Sequence, residues 1–309
     1  MSGYKTIHHS HHHFGWDNSL GAAMQAAPGD QLEFETVDAS GGQLTQGSTA
    51  ADVGRLDFGK VNPVTGPVHV AGAEPGDALV VELLDFQPSG WGWTAIIPGF
   101  GLLAEDFTEP FLHVSRYGAD QVDFLPGVKL RTRPFPGTIG VALAEPGLHS
   151  VVPPRAQGGN MDVRDLTRGA KLYLPVAVPG ALFSLGDTHA AQGDGEVCGT
   201  AIETSMKVRV RLDLVKGADF SAPRYELPAE AANEPLPQGF YATTGVAPDL
   251  MTATKDAVRA MIEHLGKEYG LEPATAYALC SVAVNLRISE VVDAPNWVVS
   301  AVLPRHVFT

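Results

Sequence analysis

The sequence predicts a mainly β protein with a small α component, in which β-sandwich- or barrel-like regions pack together and a C-terminal helical pair covers one side. Three observations predict it. The 309 residues include 34 glycines and 23 prolines, a supply that suits many short strands joined by turns. Short stretches of alternating polarity recur between Leu32 and Lys216. A helical period appears only beyond Pro248. With 44% hydrophobic and 18% charged residues the chain can bury a sizeable core. Three spans follow, 1–135, 136–245 and 246–309, which either stand as regions or merge into one compact unit.

In chain order, Leu32-Glu33-Phe34-Glu35-Thr36 alternates as a half-buried strand does. Residues 44–58 are polar and irregular and read as a loop. Pro67–Val70 and Ala78–Phe86 read as strands joined by the turn Glu74-Pro75-Gly76-Asp77, and the second is apolar on both faces. Between Pro88 and Asp106, Trp91-Gly92-Trp93 and Phe100 sit among glycines, either walling a small apolar pocket or packing under a long loop. His113, in the strand-like Phe111–Val114, reads as structural, and Val128–Arg133 is a further short strand. Lys171–Val178 is a strand, after which Pro179-Gly180 marks a bulge or corner. In Lys207–Lys216, Val208, Val210, Leu212 and Leu214 share a dry face while Arg209, Arg211 and Asp213 share a wet one. Leu250, Val258, Met261, Ile262 and Leu265 form one stripe of a helix that Gly270 is placed to end. Pro273 opens a second helix, and Trp297–Leu303 closes the chain as a strand.

A formal net charge of −14 argues against nucleic acid or an anionic membrane as a partner. No apolar run is long enough to span a bilayer, and the N-terminus lacks a signal-peptide core. Two cysteines, Cys198 and Cys280, are too few for a disulfide framework, so a cytoplasmic location is expected.

Chemistry concentrates between Leu182 and Glu203. Asp187, His189, Asp194, Glu196, Cys198 and Glu203 are interleaved there with Gly186, Gly193, Gly195 and Gly199. Asp187 and His189 stand two apart, so in an extended segment both leave the same face. Carboxylates and an imidazole on one face, with a flexible turn beyond, suit a divalent metal, although D-x-H also serves in a plain turn. Upstream, Gly158-Gly159-Asn160-Met161-Asp162 makes a tight turn that can aim amides and a carboxylate at one point, with Asn160 and Asp162 as candidates.

The segment G-A-L-F-S-L-G-D-T-H-A-A-Q-G-D-G-E-V-C-G-T-A-I-E resembles the signature of the acetamidase/formamidase family of amide hydrolases. Asn62-Pro63-Val64-Thr65-Gly66-Pro67 with Gly72-Ala73-Glu74-Pro75-Gly76-Asp77, the G-G-N-M-D stretch, Phe135–Val141 and Ala276–Asp293 resemble further family elements in the same order. Near the start, five histidines between His8 and His13, interrupted by Ser10, run into Phe14-Gly15-Trp16-Asp17-Asn18, which resembles the family's N-terminal element. They are therefore read as native, with His13 and Asp17 as additional site candidates and the earlier histidines solvated. Asn285 stands where the family pattern leads us to expect Asp, so no role is carried there.

The resemblance implies hydrolysis of short linear amides of the formamide or acetamide type to carboxylate and ammonia, by a homo-oligomer acting on a small molecule. Its implied site has Asp187, His189 and Asp162 holding a divalent metal, zinc first with calcium or manganese as alternatives. Glu196 is then the proton-transfer group, and Asp194 or Glu203 a further ligand or a group orienting His189. A rival chemistry uses Cys198 as nucleophile, but its neighbours are mostly acidic, which raises a thiol pKa. A metal- or carbohydrate-binding β-sandwich, and a lactam- or glycoside-acting relative, are the readings without formamidase activity.

Overall fold

The computed structural model describes residues 4–231 and 238–308. Two twisted sheets carry the fold. The larger has nine strands in the order Lys5–Ile7, Gln31–Glu35, Met206–Val215, Ala78–Pro88, Lys171–Pro175, Arg224–Leu227, Phe240–Ala247, Trp297–Pro304 and Asn285–Glu290. It draws strands from all three of the spans delimited in the sequence. The smaller runs Gly158–Asn160, Phe135–Gly140, Phe183–His189, Val64–Val70 and His12–His13, with Met24–Ala26 added beside Val64–Val70.

The two sheets pack face to face through the alternating positions that the sequence marks as dry. Leu32, Phe34, Leu79, Val81, Val208, Val210 and Leu212 from the large sheet meet Val68, Ile139, Phe183 and Leu185 from the small one in a single buried cluster. Phe34 and Phe183 meet edge to face at 5.5 Å between ring centres, an arrangement their quadrupoles favour. Burying one such ring contributes about 2–3 kcal/mol. On the opposite side of the large sheet, the helix Leu250–Tyr269 lays Ala253, Ala257, Met261 and Leu265 on Val299, Ala301 and Leu303. Asp249 caps this helix by accepting from the Thr252 amide at 2.8 Å, and Gly270 ends it. The second helix, Pro273–Ala283, begins at its proline. No helix among the described residues is long and apolar enough to cross a membrane.

Three stretches differ from expectation. Gly158-Gly159-Asn160, expected as part of a tight turn, is a strand paired with Thr138–Gly140, because that strand's edge offers backbone partners that local sequence does not show. Within residues 44–58 a short helix, Ala50–Val53, forms because the Asp52 carboxylate accepts from the Thr49 amide at 2.8 Å. Trp91–Ile96 is a strand paired with Phe111–Arg116, a partner that local pattern could not announce.

Candidate active site

The strand Phe183–His189 is buried along its whole length and runs between Phe135–Gly140 and Val64–Val70. It delivers Asp187 and His189 to one point. Glu203 joins them because its backbone bridges to both His189 and Trp93, with the Trp93 amide donating to the Glu203 carbonyl at 2.9 Å. Residues paired directly across such a bridge set their side chains next to each other. The loop after His189 turns back through Gly193 and Gly195, and the Gly195 amide donates to the Ser289 carbonyl at 3.0 Å. That link draws the edge strand Asn285–Glu290 and its following turn, with Asp293, to the same centre. Opposite, Gly137 is where Phe135–Gly140 passes closest. A Cβ there would lie 2.4 Å from Asp162 Oδ1 and 2.6 Å from His189 Cε1.

Five carboxylates, Asp162, Asp187, Glu196, Glu203 and Asp293, and the single imidazole of His189 are all buried there. His189 Nε2 lies 3.2 Å from Asp187 Oδ1 and 3.2 Å from Glu203 Oε2, with Glu196 Oε1 at 3.8 Å. Its Nδ1 is 2.9 Å from Gln192 Oε1 and 3.8 Å from Asp162 Oδ1. Phe135 meets the ring edge-on at 5.0 Å. A polar net holds the other side. Asn160 Nδ2 donates to Asp293 Oδ2 at 2.6 Å, and Asn62 Nδ2 donates to Asn160 Oδ1 at 3.1 Å. The Thr138 hydroxyl lies within reach of Asn160 Oδ1 and, at 3.2 Å, of Asp187 Oδ2.

The backbone is strained at these positions. Asn62, Asp162, Asp187 and Glu196 have φ of 51°, 46°, 48° and 49°, four of the eight non-glycine residues with positive φ among those described. The left-handed region costs an ordinary side chain about 1–2 kcal/mol, and such strain gathers where function demands it.

So many buried acids cannot all ionise unaided. Burial, then the Asp187 charge, pushes Asp162 up to about 6, and burial pushes Glu203 up to about 7. Burial, then Asp162, lifts both Glu196 and Asp293 well above the carboxylate range. Burial opposes the charged imidazole of His189, but Glu203 and Asp187 outweigh it and raise that pKa well above its ordinary value. Both oxygens of Asp162 and Oε2 of Glu203 are buried without a well-aligned hydrogen bond, and the His189 ring is their ion-pair neighbour, 3.2 Å from Glu203 Oε2 and 3.8 Å from Asp162 Oδ1. Unpaired anionic oxygens in a dry pocket are costly unless a cation or protons sit among them. Two ligand sets lie close enough to hold one ion, Asp187–His189–Glu203 and Asp162–His189–Glu196. Hard oxygens around one imidazole fit a divalent cation.

A cavity of about 240 Å³ opens onto this cluster. Leu56, Phe58, Trp93, Ile97 and Phe100 line its apolar part, and Asn62, Asp187, Glu196, Glu203 and Asp293 its polar part. Trp93 is held there by its indole N–H donating to Asp38 Oδ1 at 3.0 Å. Of the two uses open to the Trp91–Trp93 segment, Trp93 serves both, lining the cavity and packing with Leu44 and Val53 in a buried cluster.

Asp162, Asp187, His189, Glu196, Glu203 and Asn160 thus come together. The others stand apart. Asp194 pairs with Arg164 at 3.1 Å, Asp17 accepts from the Ser19 amide and hydroxyl, and His13 Nε2 meets Ser184 Oγ at 2.9 Å. The Cys198 thiol faces the carbonyls of Ala95 and Thr200 at 3.6 and 3.4 Å. Asn62, Thr138, Gln192, Asp293 and Glu290 were not singled out by sequence reasoning. Glu290 is fully buried, and burial, then Asp162, pushes it up to about 8. A signal existed for two of them, since Asn62 opens one family-like element and Asp293 ends another.

The sequence model described as Acetamidase/Formamidase family matches residues 4–151 and 142–309. The formamidase of Methylophilus methylotrophus is 27% identical, over 96% of this chain and 89% of its own length. The crystal structure of an acetamidase from Bacillus halodurans superposes with a TM-score of 0.89 at 30% identity, covering 98% of each chain. A gamma lactamase from Delftia acidovorans superposes with a TM-score of 0.69 at 29% identity, over 96% of this chain and 89% of its own.

Proposed function

The chain belongs to the acetamidase/formamidase family, and from that premise we propose that His189, Asp187 and Glu203 hold a divalent cation while Glu196 moves the protons of amide hydrolysis. The protein is an amidase that hydrolyses short linear amides to carboxylate and ammonia. The observation that carries the metal in this proposal is the convergence of Asp187, His189 and Glu203, whose ligand atoms lie close enough to hold one ion in a buried site. Zinc suits the mixed oxygen and nitrogen set, and manganese or calcium are the alternatives. When bound, such an ion supplies Lewis-acid polarisation of the amide carbonyl and lowers the pKa of water.

The chain's own groups do the rest. The small apolar cavity holds the acyl group against Trp93 and Ile97 and keeps bulk water out. An unactivated amide needs a nucleophile relieved of a proton and a nitrogen supplied with one. Glu196 is placed for both: it is buried beside the cluster, and burial, then the Asp162 charge, raises its carboxyl well above the usual carboxylate range. The water oxygen bonds to the carbonyl carbon, Glu196 takes the proton, and it returns that proton to nitrogen as the C–N bond breaks. Asp162 adds its charge behind Glu196.

The cysteine route lacks support of this kind. The Cys198 thiol meets carbonyl oxygens, and no base reaches it among the described residues. Lactams enter as second-line substrates because of the likeness to the gamma lactamase. Homo-oligomeric assembly in a reducing cytoplasm belongs to the same proposal. Glu196→Gln tests its core. It keeps the shape and removes the proton carrier, so kcat for acetamide falls by about 10²–10⁴ while bound metal persists. Unchanged kcat would remove Glu196 from the mechanism.

A further inference from the structure

Glu196 and Thr200 also line a second cavity, of about 470 Å³. Its chemistry differs from that of the first: Arg131, Arg133 and Arg164 line it, together with Asp194, Gln192, Cys198 and Phe124. In a chain with 35 acidic and 21 basic side chains, guanidiniums gathered on one cavity beside a buried acidic cluster require an explanation. Their ion pairs do not provide it. Arg133 donates to Asp165 Oδ1 at 3.0 Å and to the Ala231 carbonyl at 2.8 Å. Asp165 is shared, since Arg287 also donates to it at 2.8 Å. Arg164 pairs with Asp194 through Nη2, and its Nε is buried without a hydrogen-bond partner. Arg131 has no ion pair among the described residues. Three guanidiniums against two carboxylates, Asp194 and Glu196, line this cavity, and the buried Arg164 Nε–H donor is unused. Guanidiniums recognise carboxylates through paired, charge-assisted hydrogen bonds.

We propose that the arginine-lined cavity is a carboxylate-binding subsite that shares the Glu196 wall with the amide-binding cavity. The inference rests on the amidase reading for its relation to catalysis, but carboxylate binding itself does not. Two sources supply such a group. One is the acid released by hydrolysis, whose carboxylate the arginines attract. The other is a carboxylate at the far end of a substrate, as in the monoamide of succinic acid.

The test is acetate binding to the purified enzyme, read by ligand-detected NMR, with acetate inhibition of acetamide hydrolysis measured alongside. Arg164→Gln and Arg131→Gln each weaken acetate about tenfold, the worth of one charge-assisted hydrogen bond. Arg259→Gln, on an exposed helix face, does not. Arg131 is exposed, so its variant tests the idea even where Arg164→Gln unfolds. Acetate binding that is equal in wild type and both variants overturns the subsite. Comparing succinic monoamide with propionamide separates the sources. A lower KM for the charged amide that disappears in Arg131→Gln assigns the subsite to substrate. Loss of acetate inhibition with equal KM values assigns it to product. Arginine-dependent acetate binding without amide turnover would leave the subsite standing and count against the amidase reading alone.

Discussion

Gln192 sets the tautomer of His189. Its Nε2 donates to the Asp162 backbone carbonyl at 2.8 Å, an atom that can only accept. The amide is therefore oriented, and Oε1 faces His189 Nδ1 at 2.9 Å. Nδ1 must donate, which leaves the lone pair of the neutral ring on Nε2, pointing at Asp187 and Glu203. A side chain three residues downstream thus turns the imidazole into a ligand aimed at the acidic cluster.

Replacing that acceptor should loosen the site without touching a ligand. Gln192→Leu is expected to weaken metal affinity by about 10- to 100-fold, measured by competition with a chromophoric chelator. Affinity within twofold of wild type would mean that the ring does not depend on Gln192.

Gly137 makes a second, steric prediction. In Gly137→Ala the added Cβ would press on Asp162 Oδ1 and His189 Cε1 at 2.4 and 2.6 Å. Both side chains are fully buried, and the Asp187 carbonyl stands 3.0 Å from the same Cβ. The variant should keep its β-sheet circular dichroism and lose most bound metal and at least about tenfold in kcat/KM, as a misplacement near 1 Å commonly costs. Full metal content with wild-type turnover would show that the centre has slack that these distances deny.

The shifted acids give the metal-free protein a distinctive pH response. Glu203 and Glu290 are pushed up to about 7 and 8, and His189 is also raised. For each, the folded state binds its proton more tightly than the unfolded state. The stability so contributed is complete below the unfolded pKa, near 4.5 for the acids and 6.5 for the imidazole, and is lost as pH rises through the folded values. Thermal unfolding in chelator should therefore show a Tm lower at pH 8.5 than at pH 5.5 by several degrees. Added divalent metal should remove most of that drop. A chelated protein that gains stability over the same window would contradict the cluster's electrostatics.

Much of this was legible in the sequence. Val208, Val210 and Leu212 alternate cleanly, and the strand they predict lies where expected with those residues fully buried. Asp187 and His189, two apart, do share a face. Other parts were hidden for physical reasons. Glu203 reaches His189 through a backbone bridge, and Asp293 reaches Asn160 across 133 residues. Such pairings arise from sheet topology, which leaves no local pattern. Asp194 illustrates the converse: its place in a dense acidic stretch looked like the site's, yet its side chain turns to Arg164.

The most direct test of the central claim is ammonia release from formamide and acetamide by protein stripped of metal, before and after adding one equivalent of zinc, manganese or calcium. The exposed pair His8 and His9, both near Glu35, should be changed to alanine so that surface binding does not confuse the stoichiometry. The expected result is negligible turnover when stripped, recovery with about one equivalent of one of these ions per chain, and the same recovery in Cys198→Ala. Turnover that ignores metal and disappears in Cys198→Ala would contradict it and move the chemistry to the thiol.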